Sequence, residues 1–253
     1  MAKKIVIANW KMNPDSVGRA IRIAKEIENN IHSSKNLDVV IAPPYVFLDS
    51  VRLTVKKTKL GAQDSFWEDV GPFTGRISWH QLKRLAVQYI IIGHSENRAL
   101  GETNEEINQK INAVLGAGMK AVLCVGEVER RNDIVFPQII QEELSLGLKN
   151  IKKRFLKNLV IAYEPIWAIS TLKKAKSDNP KNVFEMSILI RKELLKMFGK
   201  KTAFSTPILY GGSVDEKNAA EFVKLGKVDG LLVGGASLNA NKFTEIVRKV
   251  SGL

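Results

Sequence analysis

Eight short apolar runs recur along the 253-residue chain, at 5–8, 39–42, 58–62, 89–92, 121–125, 159–163, 207–210 and 231–233. Each ends in polar or glycine-rich residues. Several are apolar throughout, as parallel strands covered on both faces are. Between them the apolar spacing turns helical. Ile21, Ala24, Ile27 and Ile31 mark one face, and Ile107, Ile111, Val114 and Leu115 a second. Ile139, Ile140, Leu144, Leu148 and Ile151 mark a third, and Ile188, Ile190, Leu194 and Leu195 a fourth. Thr103 with Glu106, and Ser213 with Glu216, have the spacing of capping boxes at helix starts. Strand alternating with helix eight times predicts the α/β class. The form is a (β/α)8 barrel, eight parallel strands each followed by a helix, with residues 1–253 as one domain.

An open doubly wound sheet is the competing fold. It asks for a glycine-rich phosphate turn after its first strand, where this chain has Asn9-Trp10-Lys11-Met12-Asn13. One G-x-G-x-x-A match begins at Gly116. It follows a helix and precedes a strand, the reverse of the dinucleotide context, and reads as a helix end and turn.

The single cysteine, Cys124, rules out an internal disulfide and fits a reducing compartment; a buried structural thiol is its expected role. No stretch is apolar for long enough to cross a bilayer, and the short apolar start does not make a signal-peptide core. A cytoplasmic location is expected, with no membrane. The formal net charge of +13 fits an anionic substrate, nucleic acid or a lysine-rich surface. The densest run, Lys149, Lys152, Lys153, Arg154 and Lys157, reads as the polar side of an amphipathic helix. No recognition motif accompanies the charge, so only non-specific, salt-sensitive attraction to nucleic acid is expected.

In such barrels chemistry gathers at the C-terminal ends of the strands. The residues just past the runs are Asn9 and Lys11, then Gly93, His94, Ser95 and Glu96, then Glu164, then Gly211, Gly212 and Ser213, then Gly234 and Gly235. Pro165 disfavours the helical region at Glu164, which keeps the strand extended up to the acid. Taken singly, these are also an ordinary strand end, a solvated lysine and tight turns. Together they place a carboxylate, an imidazole and an ammonium beside two Gly-Gly turns whose backbone N–H groups could hold phosphate. That set suits an enolisation. The carboxylate takes a proton next to a carbonyl, the imidazole and lysine stabilise the enediolate, and a polar lid excludes water. His32 and His80 lie in helical segments and read as surface or structural. No histidine or cysteine stands at metal-ligand spacing, so neither metal nor cofactor is called for.

The motifs match a known family. They include Ala8-Asn9-Trp10-Lys11-Met12-Asn13, Ile92-Gly93-His94-Ser95-Glu96, Ala162-Tyr163-Glu164-Pro165-Ile166-Trp167, Tyr210-Gly211-Gly212-Ser213 and Val233-Gly234-Gly235-Ala236-Ser237. Over residues 5–238 the chain resembles the triosephosphate isomerases, whose mechanism is a standard worked case. The resemblance implies a TIM barrel that isomerises a triose phosphate. Glu164 would be the base and His94 a neutral electrophile at a helix beginning near Ser95. Lys11 and Asn9 would bind substrate oxygens, and Glu96 would orient Lys11. Backbone N–H groups of Ser213, Gly234 and Gly235, with the lid residue Ser170, would bind the phosphate. Glu127 would latch Trp167. A homodimer is implied, with Thr74 reaching the partner.

Two stretches depart from the family. The lid reads Ala168-Ile169-Ser170-Thr171-Leu172-Lys173, without the family's glycines, and 174–180 is longer than usual. Arg76 and Asn97 stand where a Glu and an Arg usually pair across the interface. A binding protein on the same fold, or an isomerase of another phosphosugar, are the other readings. The intact trio Lys11, His94 and Glu164 argues against the first.

Overall fold

The computed structural model describes residues 3–32, 34–129, 137–168 and 178–253. Eight parallel strands close on themselves in sequence order, β1 next to β8. They are β1 (Lys4–Asn9), β2 (Leu37–Ala42), β3 (Lys59–Ala62), β4 (Val87–Ile92), β5 (Lys120–Val125), β6 (Leu159–Tyr163), β7 (Ile208–Tyr210) and β8 (Gly230–Val233). Every apolar run of the sequence is one of them. The helices between are α1 (Val17–Asn30), α2 (Leu48–Arg52), α3 (Trp79–Arg84), α4 (Ser95–Ala99), α5 (Asn104–Gly116), α6 (Gln138–Gly147), α7 (Pro180–Phe198), α8 (Lys200–Ser205), α9 (Ala219–Leu225) and α10 (Ala240–Ser251).

Strand side chains alternate between two cores. Ile5, Ile7, Val40, Tyr89, Val122, Cys124, Val160, Ala162 and Leu209 are among those that fill the barrel. Val6, Ala8, Leu123, Ile161 and Tyr163 face outward under the helices. The alternation does positional work at the strand ends. Continuing 5, 7 puts Asn9 inward, continuing 160, 162 puts Glu164 inward, and Leu209 is followed inward by Gly211. His94 is out of phase with Tyr89 and Ile91. Gly93, in the left-handed region at φ 71, turns the chain and returns His94 to the mouth.

Four expectations need correction. The lysine-rich stretch is not an amphipathic α-helix: α6 stops at Gly147, Asn150 adopts φ 60, and only a 3-10 turn, Lys153–Asn158, follows. Ser213 does not cap a helix; the next helix starts at Ala219, and the Asp215 carboxylate takes the N–H groups of Lys217 and Asn218 before it. His32 lies past the end of α1, exposed, because Ile31 leaves the helical region. The buried face of α7 runs through Val183, Met186, Ile190 and Leu194, leaving Ile188 and Leu195 exposed. Thr103 and Glu106 do form the reciprocal capping box, at the start of α5.

Candidate active site

Asn9, Lys11, His94, Glu164, Gly211, Gly212, Ser213, Gly234 and Gly235 line one pocket at the C-terminal mouth. The barrel thus brings together every site residue expected from the sequence within the described residues, except Glu96, which touches the pocket through Lys11. Ser170 lies outside the described residues, as does the lid stretch 169–177.

Glu164 is only 2% exposed. Its N–H donates to the Val125 carbonyl at 2.8 Å, so the ladder between β5 and β6 runs on to the acid. Two glycines leave room for it. A Cβ on Gly126 would come within 1.8 Å of the Glu164 carbonyl oxygen, and one on Gly211 within 2.7 Å of its Cγ. One carboxylate oxygen accepts the Ser95 N–H at 3.4 Å, and the other lies 3.3 Å from His94 Nε2.

His94 caps α4. Its Nδ1 accepts the Glu96 N–H at 3.2 Å. A nitrogen that accepts carries no proton, so the ring's proton belongs on Nε2, pointed at Glu164 and the pocket.

Lys11 sits in the left-handed region at φ 52, a conformation a lysine holds only when its surroundings impose it. Its N–H donates to Asn9 Oδ1 at 3.1 Å, and its carbonyl accepts from Gln63 Nε2 at 2.8 Å. Its ammonium is 2.6 Å from Glu96 Oε1. The stem passes Gly234, with Cε 3.7 Å from where a Cβ would stand. Beyond Gly234, the turn Gly235–Leu238 begins with N–H groups that lack intrahelical partners. The Ser213 N–H is taken, at 3.2 Å, by the Ala168 carbonyl. Trp167 Nε1 and the Tyr163 hydroxyl both donate to Glu127 Oε1, at 2.8 and 2.9 Å.

Sequence reasoning assigned no role to three supporting residues, although Gly61-Ala62-Gln63 is one of the motifs shared with the family. Gln63 directly follows the third run, a position the strand-end rule covers, and it also bonds the Ala42 carbonyl at 3.0 Å. Arg98 and Glu143 carried no sequence signal. Arg98 Nε donates to the Gly93 carbonyl at 2.8 Å and lies 3.4 Å from Glu143 Oε1; Glu143 Oε2 accepts the Gly126 N–H at 2.9 Å. Burial pushes the Glu143 carboxyl up to about 7, with the charges of Glu164 and Glu127 adding to it against Arg98. Cys124 is buried beside Glu164, and burial and that charge hold its thiol well above the usual range.

The Glu143 shift sets a pH dependence. Its folded-state value is raised, so its contribution is fully present below the unfolded value of 4.5 and is lost as pH rises through about 7. The span is worth about 3 kcal/mol. In urea unfolding at pH 4 and pH 8, Glu143→Gln is expected to remove about that much of the wild-type difference. An unchanged difference would rule this carboxyl out as its source.

The chain matches the family model described as Triosephosphate isomerase over residues 4–250. It is 40% identical to the triosephosphate isomerase of Chlorobium phaeovibrioides over 253 residues, covering 98% of this chain and 99% of that one. It is 37% identical to the Clostridium tetani protein of that name (98% and 96% covered) and 39% identical to the Streptococcus mutans one (97% of each).

Proposed function

The chain belongs to the triosephosphate isomerase family, and from that premise we propose that Glu164, His94, Lys11 and Asn9 carry its chemistry. It is an aldose–ketose isomerase that interconverts dihydroxyacetone phosphate and D-glyceraldehyde 3-phosphate, a reaction of glycolysis and gluconeogenesis.

Glu164 removes the proton from the carbon next to the carbonyl and returns it to the neighbouring carbon. His94 donates its Nε2 proton to the developing oxyanion and takes one back. Lys11 and Asn9 hold the substrate oxygens, and Glu96 keeps the ammonium of Lys11 in place. Gly234 and Gly235 give N–H groups to the phosphate. The Ser213 N–H joins them once it leaves the Ala168 carbonyl, and Ser170 closes over them from the lid. The carrying observation is the His94 geometry, with Nδ1 occupied by the α4 amide and Nε2 3.3 Å from Glu164. A neutral donor and a carboxylate base then face one another.

Proton shuttling through one carboxylate has a direct test. Turnover of glyceraldehyde 3-phosphate in D2O should give product carrying deuterium on the carbon Glu164 protonates, since a carboxylic acid exchanges with solvent. Product formed with full retention of the substrate proton, at every stage of conversion, points instead to hydride migration.

The protein acts as a homodimer in the cytoplasm, one barrel per subunit; among the described residues no helix is long and apolar enough to cross a membrane. Met12 (94% exposed), Val46, Phe73 and Leu100 (88% exposed) sit past the adjacent strands β1 to β4, an apolar band that a second copy would cover. Thr74 stands beside Phe73 at its tip. The exposed Arg76 has its guanidinium 5.7 Å from the Phe66 ring centre of its own chain, and Asn97 offers no charge, so the interface forms without the family's usual ion pair. Light scattering should give twice the chain mass of 28.2 kDa, and Leu100→Asp should halve it. A wild-type monomer at micromolar concentration would refute the dimer.

A further inference from the structure

Charge is segregated by the topology. In a closed parallel barrel every segment leading into a strand lies at the end opposite the active site. Those segments run from Lys3 and from the end of each preceding helix to the next strand, with α8 included before β7. They carry twelve lysines and arginines and a single acid, Asp229. Asp229 is already engaged: Arg191 Nη2 and the Ile208 N–H both reach its Oδ2, at 2.8 and 2.9 Å. Asp38, buried at the same end within β2, is taken by Lys3 and Lys59.

The cations are densest along one arc. The strands β6, β7, β8 and β1 are neighbours. Lys152, Lys153, Arg154 and Lys157 precede β6, and α8, with Lys200 and Lys201, packs on that segment before β7. The arc ends in a groove of about 520 Å3 lined by Lys4, Lys224 and Lys227, with Phe204, Val223 and Val228 as apolar walls. Phe204 is 63% exposed although it is a large aromatic. Among the described residues, Lys4, Lys224 and Lys227 have no ion-pair partner. At ~4.8 Å between neighbouring strands, the arc subtends about 15 Å at the backbone, the span of a few nucleotides.

We propose that the strand-entry end of the barrel binds single-stranded RNA without sequence preference, its phosphates along this arc and one base against Phe204. A cationic track beside an exposed aromatic is the usual equipment for that task. The groove is open, and the exposed Phe204 ring beside it suits a stacked base.

The probe is a 5′-fluorescein-labelled twelve-nucleotide oligouridylate, followed by anisotropy from 50 to 200 mM salt. Lys224→Gln with Lys227→Gln should flatten the slope of log affinity against log salt by about 1.4, since each phosphate contact with a single strand contributes about 0.7. Phe204→Ala should weaken binding about tenfold and leave that slope unchanged. Arg22→Gln with Lys25→Gln, the same charge change on the outer face of α1, should alter neither. Isomerisation at the wild-type rate shows that each variant is folded. Equal losses from the two double variants would reduce the effect to net charge and overturn the site. No binding at 50 mM salt would overturn it as well. So would capture by phosphatidylserine vesicles without binding of the oligonucleotide.

Discussion

Glu164→Gln is expected to lower kcat about 10³- to 10⁴-fold, the scale of a lost general base, while KM and the unfolding midpoint move little. The amide matches the carboxylate in shape. Its oxygen can still accept the Ser95 N–H, which the carboxylate takes at 3.4 Å, so the space bounded by Gly126 and Gly211 stays filled. What it cannot do is accept a proton from carbon. His94 is untouched, because its Nδ1 remains fixed by the Glu96 N–H. Glu164→Asp separates basicity from position: it keeps a carboxylate but withdraws it by one methylene, and a smaller loss is expected. Steady-state rates with urea unfolding beside them decide the matter. Turnover of Glu164→Gln within tenfold of wild type would move the base to another residue.

The barrel was legible because its signal is redundant. The runs are short and several are apolar on both faces, and eight of them alternating with helical spacing leave few other ways to bury so much surface. The errors fell where local pattern competes with backbone geometry. Lys149 to Lys157 has helical spacing, but Asn150 in the left-handed region ends any helix there. Ser213 and Glu216 have capping-box spacing, yet the Ser213 N–H is drawn to the Ala168 carbonyl and a turn closed by Asp215 delays the helix to Ala219. The exposed Ile188 and Leu195 show that apolar residues on a long helix need not define its buried face.

At the site, strand periodicity gives the positions of Asn9, Glu164 and Gly211. The position of His94 depends on one glycine's φ, which no spacing rule supplies. Arg98 and Glu143 were invisible for another reason. They act across elements, Arg98 from α4 and Glu143 from α6, and meet behind Gly93 and Gly126 only once the barrel has closed. The charge-stabilising role of Lys11 was legible from its place past the first strand, that of Glu96 came from resemblance, and the 2.6 Å ion pair between them is what the geometry adds.

Lys11→Met carries the second large effect, and the way it divides between kcat and KM tells what Lys11 does. The thioether keeps much of the stem's volume beside Gly234, and Gln63 still holds the residue 11 carbonyl, so the left-handed backbone at φ 52 has its support. The ammonium is lost, and the Glu96 carboxylate, 51% exposed, turns to water. Were Lys11 only an anchor for a dianion, KM would rise and kcat would hold, since ground state and transition state would lose equally. A lysine that also faces the enediolate oxygen stabilises charge that appears only on the way to the transition state. Removing one such donor costs about 3 kcal/mol, or 10²- to 10³-fold in kcat. Both changes are expected together, a higher KM and a kcat lower by about that factor. Glu96→Gln supplies the comparison, because it leaves the ammonium present but less firmly placed, and it should lose far less. A Lys11→Met enzyme with wild-type kcat at saturating substrate would confine Lys11 to binding and leave the enediolate to His94 alone.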